Sequence, residues 1–283
     1  MTLVVSIALG LVIGLSLGAL GGGGSILTVP ALVYVVGQGA RAATTSSLFI
    51  VGISALIGSL GHARSGRVRW GVGVVFGLTG IAASFAGTAV NRLVDPNVLL
   101  LAFAGLVLVA AAGMFAKSRA SAPAKDRSLV AAGSSTAGPV PAEPATGADT
   151  RLPPRRLDLG RAGKVLAAGL AVGFMTGFFG VGGGFVIVPA LTLALGLGMP
   201  EAVATSLVVI AINSGAALLA RAGTAHFDWA VIVPFTIAAV AGSLTGKTVA
   251  DRLSAKALTR AFAVLLVAVA IYTATSSLVG LLG

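Results

Sequence analysis

Inside a long apolar stretch the chain carries four consecutive glycines, Gly21 to Gly24, followed by Val29-Pro30-Ala31-Leu32. The arrangement returns as Gly180-Val181-Gly182-Gly183-Gly184, followed by Val188-Pro189-Ala190-Leu191. Glycine and proline interrupt helices. Bilayer hydrocarbon offers nothing to the N–H and C=O groups that an interruption frees, so such backbone must be buried in protein or line a polar cavity. Matching interruptions in the two halves of a chain are the best sequence pointer to a carrier's binding site.

The surroundings are those of a membrane. Of the 283 residues, 57% are hydrophobic and 10% charged, and the mean hydropathy is +1.03. Soluble domains carry about 25% charged residues, so the composition predicts an integral membrane protein. Cysteine is absent, which excludes disulfides, thiol catalysis and cysteine-based metal sites. The net charge of +11 sits in loops and at helix ends, where the positive-inside rule accounts for it without nucleic acid. The apolar N-terminus, Met1 to Leu20, has no basic leading region and reads as a membrane segment rather than a cleaved signal.

Ten apolar segments follow one another, five in each half. They run over 3–20, 24–37, 42–61, 71–90 and 97–116, then 165–180, 183–198, 201–220, 230–250 and 261–282. Their length and Ala/Leu content favour helices over barrel strands. A crossing takes about 20 residues, and the second segment of each half is shorter. Each first pair therefore reads as a broken helix or as a re-entrant hairpin with the glycines at its tip. The halves match without gaps at an offset of 159 residues: Gly14 and Gly18 pair with Gly173 and Gly177, Ser47 with Ser206, Trp70 with Trp229, and Ser84 with Ser243. Such a register implies duplication. The predicted fold is all-α and polytopic, with membrane repeats over 1–116 and 164–283. Between them, 117–163 is rich in Ala, Pro, Ser, Gly and Arg and reads as a flexible linker.

Loop charges set the orientation. The region 117–164 holds nine Lys/Arg, which predicts a cytoplasmic linker. The loop 62–69 carries Arg64, Arg67 and Arg69, whereas 91–96 has only Arg92. In the second half the bias swaps: 221–229 has only Arg221, and 247–260 has Lys247, Arg252, Lys256 and Arg260. Opposite bias in equivalent loops predicts inverted repeats, both termini lying outside, provided each half crosses an odd number of times.

Candidate chemistry gathers at the breaks. The first N–H groups after Gly23, Gly24 and Gly182, Gly183 lack intrahelical partners. They form partly positive ends that can hold an anion, and glycine lets a ligand approach the backbone. The competing reading is tight helix packing, which suits Gly14-xxx-Gly18 and its counterpart. Thr44 to Ser47 open the third segment, with Thr205 and Ser206 at the matching place. Their hydroxyls can donate to an oxyanion or bond back to their own helix. Asn213, opposite Ser54, needs a partner if buried in a membrane. Trp70 and Trp229 read as interfacial anchors, and His62 and His226 as solvated or interfacial loop histidines. Glu201 reads as an N-terminal helix residue.

None of the eight acidic residues falls in mid-segment. With no such carboxylate, one route for a coupling proton is on the substrate itself. Walker, serine–histidine and HExxH patterns are missing, so no enzyme, cofactor or metal site is expected.

The two glycine turns with their VPAL sequels, the Thr-Ser-Ser and Ala-Thr-Ser runs that follow, and the basic linker resemble the TauE/SafE family of sulfite exporters and related permeases. The resemblance covers the chain outside 117–163. It implies a multi-pass plasma-membrane carrier of sulfite, organosulfonates or related small anions, with about eight spans. Carried over, the site comprises Gly23, Gly24, Ser46 and Ser47 in one half and Gly182, Gly183, Thr205, Ser206 and Asn213 in the other. The expected partners are a small anion and the lipid bilayer, and a homodimer is compatible with the sequence. The preferred reading is alternating access, with bisulfite as one carrier of a coupling proton. An anion channel of the same fold and a membrane scaffold or sensor are the alternatives.

Overall fold

The computed structural model describes residues 2–91, 93–94, 96–120, 159–179, 184–220 and 227–282. Among them it is all-helical. The order is α1 (Thr2–Leu20), α2 (Gly23–Pro30), α3 (Ala40–Ala63), α4 (Trp70–Asn91), α5 (Pro96–Ala120), α6 (Leu159–Phe179), α7 (Gly184–Pro189), α8 (Met199–Ala220), α9 (Trp229–Arg252) and α10 (Ala255–Leu282). Six helices, α1, α3, α4, α6, α8 and α9, are long and apolar enough to cross a membrane. The chain is a multi-pass membrane protein. Residues 121–158, most of the expected linker, lie outside the described residues, as does His226.

Both short helices are distorted in the same way. Pro30 ends α2 and a π-helical turn, Ala31–Val35, continues it; Pro189 ends α7 before the π-helical turn Ala190–Ala194. Proline has no N–H to give, and its ring crowds the carbonyl four residues back. The helix widens in response. Val36 N–H reaches back to Ala31 O at 3.2 Å, and Leu195 N–H to Ala190 O at 3.3 Å. Gly37 and Gly196 then take positive φ of 81° and 69°, which turns the chain into the next helix without a Cβ penalty.

The halves are interleaved. α1 packs along α9, and α6 along α4, each through a row of glycines. A Cβ on Gly14 would lie 2.7 Å from Ala239 Cα, and one on Gly18 would lie 2.8 Å from Ser243 Cα. The same spacing recurs where Gly173 meets Gly80 and Gly177 meets Ser84. Numbers rise together along both pairs, so α1 is parallel to α9 and α6 to α4. In α3 and α8 they run against each other: Gly52 faces Ser214, and Gly58 faces Leu207. Gly73 and Gly77 of α4 rest on Val208 and Ile212 of α8, parallel again. Without a hydrophobic drive between helices in lipid, this close backbone approach supplies much of the association energy.

One end of the bundle is basic and cross-tied. Arg67 in the α3–α4 turn pairs with Asp251 near the end of α9, and Asp251 also takes Lys247 at 3.2 Å. Arg69 holds Glu201, in the first turn of α8, at 2.7 Å. Trp70 and Trp229 open α4 and α9 with about half their surface exposed, at 48% and 52%.

His62 departs from the loop reading. It lies in the last turn of α3 and is 1% exposed. The apolar run of α3 extends through Leu60 to Ala63, which carries the ring into the helix packing instead of into water.

Candidate functional site

The first glycine break meets the start of α7 inside the bundle. α1 stops at Leu20, Gly21 turns the chain with φ of 72°, and α2 folds back along α1. A Cβ on Gly24 would lie 2.7 Å from Leu17 N. Farther along, Ala31 and Leu32 join Ile13, Ala43, Ile232 and Phe235 in one apolar cluster. The first pair is thus a hairpin that dips in and returns. Its tip touches the other half: a Cβ on Gly22 would overlap the Gly184 carbonyl, and one on Gly21 would come within 2.5 Å of Ser206 Oγ. The Ser25 hydroxyl occupies the space beside Gly184 and donates to Gly22 O at 2.7 Å.

Beside this junction lies a cavity of about 910 Å³. Its walls combine apolar side chains such as Ile13, Val51 and Phe103 with hydroxyls from five helices. The hydroxyls are Ser25 of α2, Thr44 and Ser47 of α3, Ser84 and Thr88 of α4, Thr176 of α6 and Ser214 of α8. Among the described residues, no carboxylate, Lys, Arg or His lines it. The lining comes from the start of α3 and the later parts of α4 and α8, so the cavity lies away from the basic end. Tyr34, 75% exposed, stands on its wall.

Four of the hydroxyls bond carbonyls of their own helices. Ser47 donates to Thr44 O at 2.8 Å, Ser84 to Ile81 O at 2.8 Å, Thr88 to Ser84 O at 2.9 Å and Thr176 to Val172 O at 2.8 Å. A hydroxyl rotor can turn its proton outward instead. Exchanging a neutral bond worth about 1 kcal/mol for one to an anion worth about 1.5–3 kcal/mol favours that turn. The set can therefore accept from a cation as it stands, or donate to an oxyanion after rotation.

The residues singled out by sequence take different places. Ser47 lines the cavity. Ser46 is fully buried, and its Oγ has no partner among the described residues. Gly23 faces Leu265 and Phe262 of α10, and Gly24 faces α1, so both serve close packing in this arrangement. Thr205 accepts from Arg69 N–H at 3.1 Å, toward the basic end. Ser206 donates to Val203 O at 2.8 Å and abuts Gly21. Asn213 lies next to the cavity residue Ser214, with Oδ1 buried and unpartnered among the described residues. Gly182 and Gly183 lie outside the described residues. Ser25, Thr88 and Thr176 were not singled out. Their signal was a break in the repeat: hydroxyls stand where Gly184, Lys247 and Leu17 stand in the other half.

The family model described as "Sulfite exporter TauE/SafE" matches residues 6–273. The chain belongs to the TauE/SafE family. A "Probable membrane transporter protein" of Xylella fastidiosa is 32% identical over 274 residues, covering 96% of this chain and 94% of that one. A "Probable membrane transporter protein" of Methanocaldococcus jannaschii is 28% identical over 74% of this chain and 68% of its own length. Another from Bacillus subtilis is 24% identical over 94% and 95%. No solved structure matches. The TauE/SafE match spans the α1–α2 hairpin and every residue that lines the cavity.

Proposed function

We propose that this chain is a secondary carrier of small oxyanions, sulfite or organosulfonates first among them, working by alternating access between two inverted halves. The observation that carries the reading is the unequal state of two repeat-related places. The hydroxyl-lined cavity is open beside α2. Of the positions displaced from its walls by the repeat offset, Phe185, Val188, Val203, Ser206, Leu207, Ser243 and Phe262 are 1% exposed or less, whereas Leu193 and Val109, at the outer margin, are 43% and 70% exposed. One site open and its mate closed is what a carrier caught on one side of its cycle looks like, with the exchange of the two states completing the cycle.

The antiparallel meeting of α3 with its repeat mate α8 supports the inverted reading. So does the gathering of basic loops at one end, which we assign to the cytoplasm with the linker. The cavity then faces outside. Within it the hydroxyls of Ser47, Thr176 and Ser214 bind the anion by donation, assisted by the α2 N-terminus and by Asn213. Gly23, Gly24, Gly182, Gly183, Ser46, Thr205 and Ser206 shape the tips and the inner counterpart of the site. Uptake of sulfite, a two-carbon sulfonate and a carboxylate into proteoliposomes tests the proposal. Saturable, mutually competing uptake of the sulfur anions is expected. Equal indifference to all three contradicts it, and large unitary currents in a voltage-clamped bilayer indicate a channel.

A further inference from the structure

The last turn of α5 brings a cation to the π-helical turn that continues α7. Lys117 is half-buried, and its Nζ donates to Thr192 O within Ala190–Ala194. Leu195 N–H and Leu197 N–H take up the Ala190 and Leu191 carbonyls, at 3.3 and 3.0 Å. Thr192 O is among the last carbonyls of the turn, which lack partners within it, and the ammonium caps it. A lysine at a membrane edge ordinarily extends its head to water. This one turns its head to a backbone carbonyl. The contact continues one helical turn earlier, where a Cβ on Gly113 would lie 2.9 Å from Leu193 Cδ1.

The repeat offset locates this contact. Tyr34, Ala268 and Val269 line the open cavity, and their mates in the other half are Leu193, Val109 and Ala110. Lys117 follows Ala110 by seven residues, two turns along the same face of α5. That carries it about 10 Å further along the helix, toward the basic end. Thr192 lies on the same side, shortly before α8, whose Glu201 pairs with Arg69. Lys117 therefore stands at the mouth through which the closed counterpart opens. At the matching place of the other repeat the sequence has Ser276, which carries no charge.

We propose that Lys117 is an anion-binding residue of the inward-facing site. This rests on the carrier reading above and adds a cation to its inner half. While the counterpart is closed, Thr192 O engages the ammonium. Opening draws Ala190–Ala194 away from α5 and leaves a half-buried ammonium in need of an acceptor. A small oxyanion supplies one, and with charge on both partners the bond is stronger than the one it replaces. On closure Thr192 O takes the ammonium back and the anion passes on to the hydroxyls. The inner face thus holds its anion by charge as well as by hydroxyls. Gradients still set the direction of net flux; the charge sets the concentration at which the inner face fills.

The test measures sulfite uptake at fixed pH into inside-out and right-side-out membrane vesicles from cells producing the full chain, with vesicles lacking it as background. The quantity read is the half-saturating sulfite concentration at the basic face divided by that at the far face. Lys117→Gln keeps an N–H for Thr192 O but no charge, and should raise this ratio about tenfold. Lys117→Arg should keep it near the wild-type value. The chain has no cysteine, so Lys117→Cys can be modified alone. It should show the same rise, reversed by an aminoethyl methanethiosulfonate and not by the sulfonatoethyl reagent. If Lys117→Gln does not fold, Lys117→Cys before and after each reagent makes the comparison. An unchanged ratio, or equal restoration by both reagents, overturns the proposal and leaves the carrier standing. A lower ratio also overturns it, because it marks Lys117 as a clamp whose loss merely opens the basic end. Wild-type vesicles without saturable sulfite uptake from either face count against the carrier itself, and this proposal falls with it.

Discussion

Gly22 and Gly184 lie backbone to backbone, so that a Cβ on Gly22 would overlap the Gly184 carbonyl. Here the tip of the first hairpin touches the start of α7, and no flexible side chain is present to yield. Gly22→Ala should force this tip away from α7 and destabilise the protein by about 1–3 kcal/mol, the usual range for overpacking. Gly105→Ala is the control, because a Cβ there meets nothing within 4 Å. It should be neutral or stabilising by about 0.5–1 kcal/mol through helix propensity. Thermal unfolding of the purified variants in detergent measures both.

Thr176 places its hydroxyl on the cavity wall while bonded to Val172 O. Thr176→Val preserves shape and removes the donor. If the hydroxyl rotates to hold an oxyanion, sulfite binding should weaken about tenfold, from the loss of roughly 1.5 kcal/mol. Thr245 makes the same kind of intrahelical bond but is exposed away from the cavity. Thr245→Val should leave affinity unchanged. Equilibrium binding to both purified variants decides.

Arg69–Glu201 and Arg67–Asp251 join the halves at the basic end with side chains between 30% and 42% exposed. Pairs this exposed contribute about 0–1 kcal/mol each. The Arg67→Gln/Arg69→Gln double variant should therefore keep nearly the wild-type unfolding temperature. The same small energies act fully on a two-state equilibrium, and opening of the basic end should rise by up to about 30-fold. Protection of basic-end amides from hydrogen exchange reports the change.

The orientation has its own test. Ser65 lies in the basic turn after α3, and Leu93, 85% exposed, lies beyond the far end of α4. Single cysteines at these two places should react with an impermeant reagent from opposite sides of intact cells. Leu93→Cys should label from outside, and Ser65→Cys only after permeabilisation.

Much of the helical layout was legible because apolar length is a strong signal: all ten expected segments coincide with helices. The glycines that match at the offset of 159 residues carry the α1–α9 and α4–α6 contacts. The cavity was less legible. Gly23 and Gly24 looked like ligand backbone, yet their open faces are filled by Leu265 and Leu17. A missing side chain signals close approach without saying to what. Ser25, Thr88 and Thr176 were hidden because a hydroxyl on a membrane helix ordinarily bonds its own backbone. Only the fold shows that these share a cavity. His62 misled because it follows a run of small residues beside three arginines, and its burial depends on α1 and α9, distant in sequence.

Ser47 and Ser206 occupy the same position in the two repeats, one lining the open cavity and the other fully buried. Single cysteines at these places, in the cysteine-free chain, test alternating access most directly. At fixed pH, Ser47→Cys should react from outside and Ser206→Cys should be protected. Conditions that load the carrier with sulfite and turn it inward should reverse the pattern, exposing Ser206→Cys from the basic side as Ser47→Cys becomes protected. Simultaneous reactivity of both positions, or no reciprocal change on loading, would contradict the account.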